Sequence, residues 1–364
     1  MSRVPLARPS IADRERHYVQ EALDGSWLSG HGPHVERFEW AWAARCGTLH
    51  AVAVASGTAA LHLLLLALEV CPGDEVIVPA LTYVAVANAV RHAGGTPVVV
   101  DVDPTTWCLS PDGARAAITP RTVGILAVHA YGHPADIGAL AGIAARHRLW
   151  LLEDGAEAHL ATYHGVVVGG LADAAGFSFF GNKIVSTGEG GAVTTNDPAL
   201  AGRVRALSRQ GVAGGDERYR PSLTGLGLRM GNLAAAVGCG QLDRLDDLLD
   251  RRRVLWRRYE GGLRDATGVE LQPVSGCVTV APWLFSVTFD DGRARRDAVR
   301  RQLADDGIES RPLFPNLACL PVAAPPRDGC PEADRLAASG LSLPLHPDLP
   351  GEDLDRVVDV VRFA

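Results

Sequence analysis

Between Ala51 and Asn196, short apolar runs alternate with stretches whose apolar residues recur at helical spacing. That alternation predicts a largely parallel sheet covered by helices on both faces. After the apolar run Ala51 to Ala55, strands are expected at Glu75 to Pro79, Pro97 to Val102, Val123 to His129, Leu149 to Asp154, Ala174 to Phe180 and Ala192 to Thr195. Helices are expected at Ala59 to Val70, Ala135 to His147 and Pro198 to Arg209. A glycine-rich segment at Gly211 to Gly215 reads as mobile, and one long helix from Leu233 to Leu263 leads into a second unit. There the order is strand, helix, strand, helix: Thr279 to Phe289, Ala294 to Asp306, Leu341 to Leu345 and Glu352 to Phe363. Pro312, Pro315, Pro321, Pro325 and Pro326 punctuate a loop that could lie over a site. The expected organisation is a large domain over 1–240 and a small carboxyl-terminal domain over 241–364.

Composition narrows the class. The 364 residues suffice for a sizeable core, and the net charge of -7 gives no basic footprint for nucleic acid. Arg251 to Arg253 and Arg257-Arg258 read as the solvated face of a helix. The longest nearly unbroken apolar run, Leu61 to Leu68, is too short to span a bilayer, and the amino terminus carries no signal-peptide pattern. A cytoplasmic protein without membrane partners is the expectation. Seven cysteines without a Cys-x-x-Cys pair argue against disulfides or thiolate zinc and read as small buried residues. His159 and His164 lack the spacing of a helical metal pair, so no metal is expected.

The candidate chemistry centres on Lys183, which follows an apolar strand and enters the glycine-rich stretch Gly188-Glu189-Gly190-Gly191. A lysine that forms a Schiff base must be partly desolvated so that its amine spends time neutral. Ser56-Gly57-Thr58 opens a helix and reads either as a phosphate cradle or as an ordinary cap. Asp154 ends a strand, where ligands bind in open α/β sheets; it reads as an acid facing a ring nitrogen or as a capping carboxylate. Tyr83 offers a flat face for ring stacking, or core packing.

In order along the chain these residues match a known pattern. It runs from Gly30-His31-Gly32-Pro33 and Ser56-Gly57-Thr58 through Pro72-Gly73-Asp74-Glu75 and Tyr131-Gly132-His133-Pro134 to Glu153-Asp154-Gly155-Ala156-Glu157-Ala158-His159, Ser178 to Lys183 and Gly188-Glu189-Gly190-Gly191. The chain resembles the DegT/DnrJ/EryC1/StrS sugar aminotransferases. The resemblance implies the pyridoxal-phosphate-dependent transferase fold of the aspartate aminotransferase type: a mostly parallel sheet in the large domain and a smaller α+β domain. It implies pyridoxal 5'-phosphate as cofactor, alternating with pyridoxamine 5'-phosphate. Lys183 would be the Schiff-base lysine, Asp154 the partner of the ring nitrogen, Tyr83 the stacking aromatic and Glu157 a neighbour of the phenolic oxygen. Gly57, Thr58 and Ser178 would contact the phosphate. In this family an asparagine reaches the neighbouring subunit's phosphate, but here Gly227 stands at that place in Gly225-Leu226-Gly227-Leu228-Arg229-Met230. Arg229 could substitute for it; Asn232 could too, although as the residue before a helical run it reads first as a helix cap. A homodimer with shared active sites is implied.

The implied reaction moves an amino group from an amino acid, with L-glutamate as the expected donor, to a nucleotide-linked keto sugar. A keto-cyclitol acceptor is the alternative. A sugar dehydratase is disfavoured, because family members of that type carry histidine where Lys183 stands. A non-catalytic regulator is disfavoured by the complete set of site groups. Trp27 could shape a sugar site or anchor the core.

Overall fold

The computed structural model describes residues 3–212, 220–323 and 329–363. Its amino-terminal part runs α1 (Asp13–Asp24), α2 (Pro33–Cys46), β1 (His50–Val54), α3 (Gly57–Ala67), β2 (Glu75–Pro79), α4 (Ala85–His92), β3 (Thr96–Val100), α5 (Pro111–Ala116), β4 (Thr122–Val128), α6 (Ile137–His147) and β5 (Trp150–Asp154). Next come β6 (Thr162–Tyr163), β7 (Val166–Val167), β8 (Ala174–Ser178), β9 (Gly191–Thr195), α7 (Pro198–Ser208), α8 (Asn232–Asp243) and α9 (Leu245–Leu263). The remainder holds β10 (Val269–Leu271), β11 (Val278–Thr279), β12 (Phe285–Phe289), α10 (Gly292–Asp305), β13 (Arg311–Pro312), α11 (Pro331–Ser339), β14 (Gly340–Leu343) and α12 (Gly351–Phe363).

Among the described residues the main sheet has the order β1-β9-β8-β5-β4-β2-β3. β9 runs antiparallel to both neighbours, and the other six strands share one direction. Helices cover both faces, so strand residues such as Val76, Ile77, Val78, Ile125, Leu126 and Leu152 are wholly buried, as a parallel sheet requires. α3 packs against α4, α7, β8 and β9, which explains why its run of leucines shows almost no polar face. The carboxyl ends of β1, β2, β4, β5 and β8 therefore open on a single edge. This edge receives Ser56, the Tyr83 loop, the Tyr131 turn, Asp154 and Ser178.

A second sheet, β10-β12-β14-β13, is antiparallel and carries α10, α11 and α12. Its core unites Leu255, Tyr259, Phe285, Val287, Val299, Leu341, Leu343 and Val357. Leu245 and Leu249 of α9 belong to the larger core, so this helix runs from one core to the other. The expected mostly parallel sheet with a smaller α+β unit is what forms.

Several expected details differ. The long helix breaks at Arg244, whose backbone leaves the helix and whose side chain turns to hold buried Glu15 at 2.9 Å. Asp246 and Asp247 then favour a fresh helix start. The strand expected over Thr279 to Phe289 is two, because the chain turns at Ala281-Pro282-Trp283: β11 pairs with β6, and β12 joins the second sheet. Arg252 is not solvated; it is fully buried and donates to the carbonyls of Pro282, Trp283 and Leu345 at 3.2, 3.0 and 3.0 Å. Trp27 is half exposed, which removes the core-anchor reading. Of the free cysteines, Cys46, Cys108, Cys239 and Cys330 are buried, whereas Cys71 and Cys319 are exposed. Gly214, Gly215, Pro325 and Pro326 lie outside the described residues. Gly211 is hydrogen-bonded on both sides, to the Ala206 carbonyl at 2.8 Å and from the Ser222 N–H at 3.0 Å, and an added Cβ would meet the Leu223 carbonyl oxygen at 1.7 Å.

The Trp283 segment is clasped to the main sheet at Gly132, whose carbonyl accepts from the Ala281 N–H at 2.9 Å. Gly132 has φ of +88°, and a Cβ there would lie 2.0 Å from the Ala281 carbonyl oxygen. Gly132→Ala is expected to cost roughly 1–3 kcal/mol in urea unfolding. Unchanged stability would show that this clasp yields freely.

Candidate active site

Each group on the shared edge is set by local structure. Ser56 caps α3, its Oγ accepting from the Ala59 N–H at 3.1 Å, and the N–H groups of Gly57 and Thr58 have no acceptor within the helix. Glycine at 57 is required sterically, because a Cβ would stand 2.7 Å from that of Ser178. The start of α3 and the end of β8 thus form one cradle of N–H and hydroxyl donors, at the positive end of a helix dipole.

Asp154 ends β5 and is buried; its Oδ1 accepts from the Ala156 N–H at 3.0 Å. Burial raises its pKa, opposed by that N–H and by the charge of Lys183. Three residues on, Glu157 accepts from the Tyr131 N–H at 2.9 Å, and its carboxylate lies 3.8 Å from Lys183 Nζ. Burial pushes Glu157 up to about 7. The Lys183 side chain is 12% exposed, and burial lowers its pKa, with Arg311 acting in the same direction and Glu157 and Asp154 against it. Lys183 is thus brought to Glu157 with Asp154 in electrostatic range, and Gly57 is brought to Ser178. Tyr83 is largely exposed at the rim, tilted against Phe314 at 5.9 Å, with a face free to stack.

Sequence reading missed the opposite wall. Trp283 receives Lys183 Nζ at 4.1 Å from its ring centroid and donates its indole N–H to the Asn182 carbonyl at 2.8 Å. Tyr131 lies between Trp283 and Phe314 in a stack, 6.3 and 5.4 Å away, and its hydroxyl accepts from the Phe314 N–H. No spacing rule links residues 131, 183, 283 and 314; only the fold unites them. His159, weighed above as a metal ligand, is a tie between loops. Its Nδ1 accepts from the Val185 N–H at 3.2 Å, so Nε2 donates to the Ser178 carbonyl at 3.0 Å, and burial holds its pKa at about 3. Among the described residues there is no cluster fit to hold a metal ion.

Arg229 and Asn232 part company. Arg229 is exposed, and its guanidinium meets His31 Nε2 at 3.0 Å rather than the Lys183 group. Asn232 is fully buried and does not cap its own helix. Its Oδ1 accepts from the N–H groups of His34 and Val35 at the start of α2, and its Nδ2 donates to the Trp27 carbonyl. A phosphate contact by Asn232 is thereby excluded, since both ends of its amide are engaged.

The raised Glu157 carboxyl carries a pH signature. Its folded value near 7 exceeds the ordinary 4.5, so its contribution to stability is full below pH 4.5 and is lost as pH rises through 7. That gap is worth about 3 kcal/mol. In urea titrations of the apo-protein, Glu157→Gln is expected to lose less stability than wild type as pH rises to about 8, by up to that amount. An identical pH slope would show that the carboxylate is ionised at little cost.

The profile of the DegT/DnrJ/EryC1/StrS aminotransferase family matches residues 9–362. GDP-perosamine synthase of Caulobacter vibrioides is 43% identical over 361 residues, covering 98% of this chain and 97% of that protein. The dTDP-3-amino-3,4,6-trideoxy-alpha-D-glucose transaminase of Streptomyces venezuelae is 42% identical over 337 residues, covering 91% and 87%. Among solved structures, the PLP form of a sugar aminotransferase from Streptococcus pneumoniae superposes with a TM-score of 0.94 at 29% identity, covering 99% and 98%. This protein belongs to the DegT/DnrJ/EryC1/StrS aminotransferase family and is a pyridoxal-phosphate-dependent aminotransferase.

Proposed function

We propose that this aminotransferase carries an amino group from L-glutamate to the ketone of a nucleotide-linked sugar, with Lys183 as the residue that holds the cofactor. The observation that carries the site assignment is the largely buried trio of Lys183, Glu157 and Asp154 at the sheet edge that also receives the start of α3. The donor set suits pyridoxal phosphate. A buried acid raised in pKa is relieved by a protonated ring nitrogen, a depressed amine suits imine formation, and the Gly57, Thr58 and Ser178 cradle suits a phosphate. When bound, the cofactor supplies an electron sink for the pair left when a substrate carbon loses its proton.

The chain's residues do the rest. Asp154 would keep negative charge against the ring nitrogen, and Tyr83 would cover a face. Glu157, near 7, holds a proton that it can lend to an oxygen. Lys183 Nζ, once free, would take the proton from the donor's nitrogen-bearing carbon. In the second half it returns a proton to the sugar carbon that gains nitrogen. Its lowered pKa suits both directions. GDP and dTDP in the names of two relatives matched along nearly their whole lengths support a nucleotide-linked acceptor.

A homodimer with shared sites fits the surface. Trp27, Leu28, Tyr83 and Phe180 are apolar, exposed and close to the site or to the Arg229 loop. Arg229 points outward, and in this reading its guanidinium serves the partner's phosphate where Gly227 cannot.

Incubating the protein with pyridoxal phosphate, L-glutamate and GDP- or dTDP-linked keto sugars is expected to give the amino sugar by mass, and borohydride to fix the cofactor on Lys183. Lys183 is the sole lysine of the chain, so transfer only to a keto-cyclitol, or a borohydride-reduced protein whose label is absent from Lys183 or sits on the amino terminus, would refute the respective assignment. Arg229→Ala is expected to weaken pyridoxal phosphate binding by roughly 1.5–3 kcal/mol. Mixing Arg229→Ala with Lys183→Ala subunits at limiting cofactor should restore activity, because one site in each hybrid has both groups. Failure of hybrids to recover would place each site within one subunit.

A further inference from the structure

Trp283 meets the Lys183 segment at two points. Its indole N–H donates to the Asn182 carbonyl at 2.8 Å, which fixes the backbone just ahead of the lysine, and Lys183 Nζ rests 4.1 Å from the centre of the same ring. The tryptophan is itself firmly seated. It is fully buried, its backbone N–H donates to the Ala281 carbonyl at 2.8 Å, and its carbonyl accepts from Arg252 Nη1 at 3.0 Å. The Glu157 carboxylate, 3.8 Å from Nζ, lies outside hydrogen-bond range. Asp154 also favours the ammonium and Arg311 opposes it, while His159 stays neutral, with burial holding its pKa at about 3.

A ring is a particular kind of seat for an amine. An ammonium on a flexible four-carbon stem beside two buried acids is drawn toward an ion pair, which engages the acid and keeps the amine protonated. The face of an indole attracts the ammonium through its quadrupole and offers no acceptor oxygen to its hydrogens. In the half of the reaction in which the transferred nitrogen sits on the cofactor, Lys183 has no covalent partner and needs such a seat. We propose that Trp283 is a positioning residue that docks the free Lys183 amine, fixing its place through the Asn182 carbonyl and its readiness to take a proton through the ring face. This rests on the aminotransferase reading above, with Lys183 as the amine that moves protons, and adds the residue that governs it. Burial and Arg311 weaken the hold of Lys183 on its proton, and the ring restores part of that hold.

Because the chain has a single lysine, protein grown on lysine enriched in carbon-13 gives one ε-carbon signal, whose titration in the apo-protein reads this amine directly. Biosynthetic replacement of tryptophan by mono-, di- and trifluorotryptophan weakens the ring quadrupole in steps while the shape and the N–H remain. A weaker ring stabilises the ammonium less, so the Lys183 pKa is expected to fall with each fluorine, by about one pH unit over the series, the size of a desolvated cation–ring contact. In the cofactor-loaded enzyme the acid limb of the kcat profile, where the amine must lose its proton, should move to lower pH in parallel. Trp283→Phe keeps a ring face and loses the N–H, so kcat should fall roughly tenfold, the factor for one hydrogen bond. A cooperative urea transition certifies that this variant is folded, and its titration should ignore fluorination of the other tryptophans. The proposal is overturned if the pKa stays level or rises with fluorine, if fluorinated Trp283→Phe responds equally, or if Trp283→Phe matches wild type in kcat. If the pKa follows the fluorine series but borohydride does not fix the cofactor on Lys183, the docking stands and the site assignment fails.

Discussion

The whole arrangement depends on an amine and two acids being kept out of water at the end of a parallel sheet. Burial raises Asp154 and Glu157 and lowers Lys183, so none of the three is comfortable in its charged form alone. They are tolerable together because Lys183 offsets the desolvation of both acids and they offset its own, although Asp154 pushes Glu157 further up. What is left over is partial: Glu157 sits near 7 rather than at an ordinary carboxylate value. A site balanced in this way is poised to take a ligand with a positive ring nitrogen and a negative phosphate, since each of those charges meets an opposite field.

Holding three such groups in register needs hydrogen-bonded ties around them. Glu153, one residue before Asp154, is fully buried and accepts from the N–H groups of Gly169, Leu171 and Ala172 and from His129. His159 fastens the Glu157 turn to the Ser178 strand end and to the Lys183 loop. Tyr131 adopts a left-handed backbone, φ +53°, that lets its N–H meet Glu157 while its ring stacks on Phe314 and Trp283. Arg252 reaches from α9 to three carbonyls around Trp283, and burial draws its pKa down to about 9. A buried cation held through one guanidinium nitrogen by three carbonyl dipoles pins the segment without presenting a carboxylate to the site.

The strand ends were readable because burial on both faces leaves continuous apolar runs, and Lys183, Asp154 and Ser178 sit at the ends of those runs. Gly57 was readable for the same reason. Trp283 and Tyr131 were not, since the contacts of Trp283 with Lys183 and of Tyr131 with Trp283 and Phe314 cross a hundred residues or more. Arg252 misled because it lies in a run of arginines; only the carbonyl cage around α9 separates it from its solvated neighbours. Asn232 misled in the opposite way. It does cap a helix, but the helix is α2, some two hundred residues earlier. The break at Arg244 had no proline or glycine to announce it, and it coincides with the pairing of Arg244 and Glu15.

Why an aromatic ring, rather than another acid, should face the lysine follows from the chemistry asked of it. A fully charged carboxylate in contact would keep Nζ protonated and useless as a base or nucleophile. A ring face at 4.1 Å stabilises the ammonium by its quadrupole, yet also packs well against a neutral amine. Glu157, which is itself readily protonated, is a counterion that can withdraw. With Arg311 adding a repulsive charge on the same indole, Lys183 is held where small changes in nearby charge decide its protonation. An amine that must alternately release, take and return protons needs that balance more than it needs a strong partner.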